Sequence, residues 1–132
     1  MSKQQQAQQA QAFHPENSRV GASALADFIR APTKGNLDEV PGVGPATIDR
    51  LRAAGVETTY QLVAKYLSFK GANTEPKAHA ELFYQWLKRT ETPAGFRAGV
   101  VHSIAEKTNL TFPKLYDSSA YYDKDLSMEQ DA

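Results

Sequence analysis

The chain reads as an all-α protein of five to six short helices built round a helix-hairpin-helix motif, with a tail at each end. Three observations carry that expectation. Apolar residues recur at three- and four-residue spacing between turn signals, and no segment alternates convincingly as a strand does, although Thr58-Thr59-Tyr60 is ambiguous. Proline or a Ser/Thr cap heads several of the periodic segments. The run from Leu37 to Leu51 spells a short helix, a glycine hairpin and a second helix.

Residues 1–12 are almost all Gln and Ala, which gives them nothing to bury, and residues 1–21 read as a low-complexity tail. The domain spans 22–113. Structure is expected from about Ser23, where Ala24, Leu25, Phe28 and Ile29 mark one face of a helix that stops before Pro32. The hairpin unit follows. Its second helix runs from about Pro45 to Ala54, with Gly55 as the residue that ends it. Thr58 caps a third helix, in which Tyr60, Val63, Ala64 and Leu67 recur as far as Phe69. After the turn Lys70-Gly71-Ala72-Asn73, Thr74-Glu75-Pro76 opens a longer helix with an apolar stripe of Ala78, Leu82, Phe83, Trp86 and Leu87. Thr92-Pro93 repeats that start for a last helix carrying Phe96, Val100, Val101, Ile104 and Ala105, ending near Thr108-Asn109. Pro113 marks the domain edge. Residues 114–132 form an acidic tail that holds Tyr116, Tyr121 and Tyr122. It reads as solvated, with docking on a partner or on its own domain as the alternative.

The hairpin carries the chemistry. Gly42 and Gly44 stand where the backbone is expected to turn tightly, and Pro45 follows in the first helical turn, where a missing N–H costs nothing. Ile48 and Leu51 turn the helix inward. Several backbone N–H groups are then left unpaired at a helix N-terminus, which suits an anion such as a nucleic-acid phosphate. Arg50 lies one turn further along, and Lys34 and Arg97 are candidates for neighbouring phosphates. Such contacts hold a backbone and read no bases.

Composition narrows the field. A chain of 132 residues suits one domain with tails. With no cysteine there is no disulfide and no thiolate zinc site. No apolar run has the length of a membrane span, so an intracellular protein is expected, with no membrane insertion. The formal charge is zero, but it divides into +1 over residues 1–20, +2 over 21–113 and −3 over 114–132. Affinity for DNA must therefore come from placed groups and not from bulk charge. His14, His79 and His102 show no ligand spacing, and no metal or cofactor is expected. Asp38-Glu39 reads as helix N-terminal charge. No nucleophile–base set and no phosphate-binding GxxxxGK[ST] loop is present, so the chain is not read as an enzyme.

Taken in order, Asp27-Phe28-Ile29 with Pro32, the Val-Pro-Gly-Val-Gly hairpin, Leu51 with Ala54-Gly55-Val56, the Tyr60–Phe69 helix and Glu81-Leu82-Phe83-Tyr84-Gln85-Trp86-Leu87-Lys88 resemble the barrier-to-autointegration factor family of small, helical, DNA-bridging nuclear proteins. The resemblance runs from about Asp27 to Ile104, over half of the chain. It implies a homodimer with one double-stranded DNA site per protomer, facing apart so that two duplexes are bridged, and a nuclear location. It implies DNA contacts through Gly42, Val43, Gly44, Ala46 and Thr47, with Arg50 beside the phosphates. It implies a dimer contact through Tyr60, Val63, Ala64, Leu67 and Trp86, and docking of LEM-domain-like or other protein partners. This sequence departs from the family at Ala24, near the place of a contacting lysine, and in the last helix, where the cysteines and second tryptophan are absent. Two other classes stand beside this reading: the same fold kept as a protein-docking subunit of a larger assembly, and an accessory domain of an enzyme.

Overall fold

Five α-helices carry residues 12–122, the part described by a computed structural model: α1 (Ala22–Arg30), α2 (Pro45–Ala53), α3 (Thr59–Ser68), α4 (Pro76–Arg89) and α5 (Ala94–Thr111). Short 3₁₀ turns stand at Pro15–Asn17, Leu37–Glu39 and Ser118–Tyr121. Among the described residues there is no strand, only an isolated antiparallel bridge between Asn36 and Thr58.

The helix ends follow from local residue types. Pro45 and Pro76 open α2 and α4 at positions that lack an intrahelical N–H partner. At the end of α2, Gly55 adopts φ 87° and its N–H reaches Arg52 O, while Val56 N–H reaches Leu51 O at 2.8 Å. This is a Schellman ending, and its two apolar members, Leu51 and Val56, are both buried. Thr58 and Gln61 form a reciprocal capping box at the head of α3. Pro93, not Thr92, is the residue that precedes α5; Thr92 is buried instead, with its hydroxyl bonded to that of Thr90.

α5 is the central helix. Val100, Val101, Ile104 and Ala105 are fully buried, and Ala98, Gly99, Ser103 and Thr108 extend the burial round its circumference. It packs on α1, α3, α4 and the 15–17 turn. Each large apolar side chain withdrawn from water here, such as Leu51, Leu62, Leu87 or Ile104, contributes about 1.5–3 kcal/mol. Tyr66 and His79 stack at 4.2 Å in the same core, and His79 Nε2 lies 2.7 Å from Tyr66 O. Lys107 fastens α1 from below: its ammonium donates to Phe28 O and Ala31 O, both at 2.6 Å, and sits over the Phe28 ring.

Both expected boundaries shift. Phe13, placed by sequence in the 1–21 tail, is 4% exposed, and Pro15 beside it is buried. Phe13 N–H donates to Glu81 Oε1 at 2.9 Å, so residues 13–20 form a strap across α4 and α5. At the other end Leu115 and Tyr116 are buried, and Tyr121 meets Phe13 edge-on at 5.5 Å. The chain therefore docks on its own domain well past Pro113. Apolar and aromatic side chains within polar segments supply the burial that the average composition hides. The expected tails over 1–11 and 123–132 lie outside the described residues.

Two stripes differ as well. The core face of α3 is Thr59, Leu62 and Tyr66, whereas Tyr60 and Ala64 are exposed and Val63 and Leu67 half-buried. Leu82 on α4 and Phe96 on α5, expected inside, are both exposed.

Candidate nucleic-acid interface

The hairpin begins with a tight turn. Val43 N–H donates to Val40 O at 3.0 Å, with Pro41 second and Gly42 third at φ 92°, the arrangement of a type II turn. Gly42 is held there for two reasons. Its φ lies in the region that L side chains avoid, and its backbone presses on α5, where an added Cβ would stand 3.3 Å from the Gly99 carbonyl carbon. Gly44 differs from expectation. Its φ of −106° and ψ of −177° are extended and open to any residue, and a Cβ there would meet nothing within 4 Å. The turn thus needs one glycine, and the second leaves a bare surface.

Gly44 is the N-cap of α2 and provides no side-chain cap. The first helical bond is Ile48 N–H to Gly44 O at 3.0 Å. Among the described residues no acceptor lies within hydrogen-bond distance of the N–H groups of Gly44, Ala46 or Thr47. These three do not present alike. Ala46 is exposed and Gly44 half-exposed, whereas Thr47 is 1% exposed and its Oγ1 is buried with no partner. Of the residues with an unbonded N–H, Gly44 and Ala46 are therefore the two with exposed surface, and Val43 N–H is already bonded within the turn.

The expected basic contacts divide. Arg50 Nη1 lies 3.3 Å from Glu91 Oε2, with both side chains mostly exposed, so this pair adds at most about 1 kcal/mol and competes with any phosphate. Glu91 reaches it from a left-handed backbone at φ 64°. Lys34 lines a shallow cleft shared with Asp27, Asp38 and Glu39. Asp38 and Glu39 stand in the first turn of the 3₁₀ helix Leu37–Glu39, as expected, and Glu39 also braces the loop before it. Its carboxylate accepts from Lys34 N–H, Gly35 N–H and the Thr59 hydroxyl at 2.7–2.9 Å and ties the 33–39 loop to α3. Burial pushes its pKa up, but those bonds and the nearby Lys107 outweigh the burial and leave it below the ordinary carboxylate value.

Arg97 is braced by its Nε–H on Thr92 O at 2.7 Å. It lines a cavity of about 670 Å³ together with Arg19 and Lys88. A smaller cleft of about 220 Å³ shares Arg19 and Gly95 with that cavity and is also lined by Pro41, Gly42 and Phe96, among others. Ala24 also lines the cleft. Sequence reading missed Arg19 by assigning it to a tail, and missed Lys88 because its neighbours come from distant elements. Phe13 was the available signal that the strap is structured.

The residues read as a dimer contact lie on one side of α3 and α4. Tyr60, 57% exposed, donates its hydroxyl to Thr33 O at 3.0 Å, so it also serves its own chain. Trp86 is buried beside Phe83, with the Lys65 ammonium 5.3 Å from its ring. Among the described residues no cluster of His, Asp and Glu is arranged to hold a metal ion, and no helix is long and apolar enough to cross a membrane. No protein-family model, curated protein or solved structure matches the chain.

Proposed function

We propose that the protein binds double-stranded DNA without reading its sequence, by gripping a backbone phosphate with the amides at the head of α2. The observation that carries this reading is the N-terminus of α2, which no side chain caps and at which Gly44 and Ala46 have exposed surface. Aligned peptide dipoles give that end a partial positive charge, and its free donors match an anionic oxygen. Arg97 lines a neighbouring cavity that shares Arg19 and Gly95 with the cleft at Pro41 and Gly42. One such grip is weak, since few phosphates are neutralised. A dimer through the outer face of α3 (Tyr60, Val63, Ala64 and Leu67) would hold two sites at once and gain by avidity on long duplexes.

The test is Gly44→Glu in a gel-shift series on short and long duplexes at low salt. The backbone at 44 admits any residue and the space beside it is open, so the variant folds as the parent does. A carboxylate at the phosphate position should abolish binding. Unchanged binding by the folded variant would refute the hairpin assignment.

A second reading, a docking subunit without DNA, is favoured by the Arg50–Glu91 pair, which engages one of the expected cations, and by the three carboxylates that share the cleft of Lys34. It takes over if the parent protein fails to retain duplex at low salt.

A further inference from the structure

The cavity beside the first turn of α5 gathers positive charge from three separate parts of the chain. Arg19 comes from the strap, Lys88 from the last turn of α4 and Arg97 from α5. The Arg19 guanidinium lies across Gly95, where an added Cβ would sit 2.8 Å from Nη1. Among the described residues none of the three is within ion-pair distance of a carboxylate, since Arg50–Glu91 is the only such pair there. Arg97 is fixed by its Nε–H, and among the described residues no acceptor bonds its Nη groups. Among the described residues Glu16 is the single acid on the cavity wall.

Three cations around one concavity repel each other, and one acid does not offset them. The dipole of α5 adds to the same sign. An oxyanion resolves this imbalance, and the planar guanidinium forks suit a phosphate in particular. The smaller cleft shares Arg19 and Gly95 with this cavity and is also lined by Pro41 and Gly42 of the hairpin turn.

We propose that the Arg19–Lys88–Arg97 cavity is a phosphate-binding site, filled by a backbone phosphate of the same duplex that the hairpin grips. The choice of duplex as the source of that phosphate rests on the DNA reading above. Arg19 lies outside the stretch that carries the family resemblance, so the strap, and not only the helical domain, completes the surface. Two anchors fix the direction of the duplex, which one phosphate grip leaves free.

The experiment compares the parent with the double variant Arg19→Gln, Lys88→Gln. Equal thermal melting of the two confirms folding, and Arg97 is left intact because it braces the turn at Thr92. The dependence of duplex affinity on salt is measured for both. The cavity neutralises one phosphate, so its loss should make the log–log slope shallower by about 1. A slope equal to the parent's would overturn the cavity site while leaving the hairpin reading intact. If the parent binds no duplex, the DNA reading falls, and inorganic phosphate decides the cavity alone. Movement of the Gly95 amide resonance in the parent, lost in the double variant, upholds a phosphate site with another source. No movement in the parent refutes it.

Discussion

Gly42 and Gly44 look equivalent in the sequence, and the structure separates them by a measurable amount. At Gly42 an alanine would have to adopt φ 92°, and the left-handed region costs an L residue about 1–2 kcal/mol. Its Cβ would also stand 3.3 Å from the Gly99 carbonyl carbon and 3.4 Å from Val100 N. Both belong to the backbone of the central helix and cannot swing aside, so the hairpin must lift, at the low end of overpacking costs, about 1 kcal/mol. Gly42→Ala should thus lose about 2–3 kcal/mol. At Gly44 the backbone is extended and the surroundings are empty. Alanine there removes conformational freedom from the unfolded chain, a gain of about 0.4–1 kcal/mol. It is a poorer N-cap than glycine by a comparable amount, so Gly44→Ala should change stability by less than about 0.5 kcal/mol. Urea unfolding followed by helical circular dichroism, under one buffer for parent and both variants, gives the two values. Equal losses would refute the argument, because they would mean that Gly44 also holds a conformation or contact closed to other residues.

Two further outcomes test the core. Phe13→Ala should lower stability by about 3–5 kcal/mol, the usual cost of removing a buried phenyl ring, because Phe13 packs on Tyr84 and Tyr121; a urea midpoint within error of the parent's would show the strap to be peripheral. Burial holds the pKa of His79 below its ordinary value despite the bond to Tyr66 O, so the unfolded chain takes up the proton first on acidification. Stability is then fully present above about pH 6.5 and falls as the pH drops toward the lowered native value, by at most about 1.4 kcal/mol per pH unit from this group. Unfolding curves at pH 7.5 and 5.5 for the parent and His79→Gln should show a smaller drop in the variant.

Helix ends were the most legible part of this fold because they depend on a few adjacent residues. Gly55 with Val56, and Thr58 with Gln61, carry their own geometry. Facing was harder. α3 is apolar on two sides, at Tyr60, Val63, Ala64 and Leu67 and also at Leu62 and Tyr66, and periodicity alone gives no rule for choosing between them. The pairing of the buried stripe was decided by α5, which lies far along the chain. For the candidate site, the unpaired amides of α2 were readable from Gly-Pro spacing, whereas the capture of Arg50 by Glu91 depends on a left-handed backbone at a residue that rarely adopts one. The approach of Arg19 to Gly95 is a long-range contact with no local signature.

The meeting of Phe13 and His14 with Tyr121 sets a practical limit on trimming this protein. A fragment cut at 22 and 113, the limits that composition suggests, would strip both halves of that aromatic seat and leave Tyr84 facing water. Removing either end alone would unseat the other. The segments 13–20 and 115–121 thus behave as a clasp, and any shortened or tagged version should keep both sides of it.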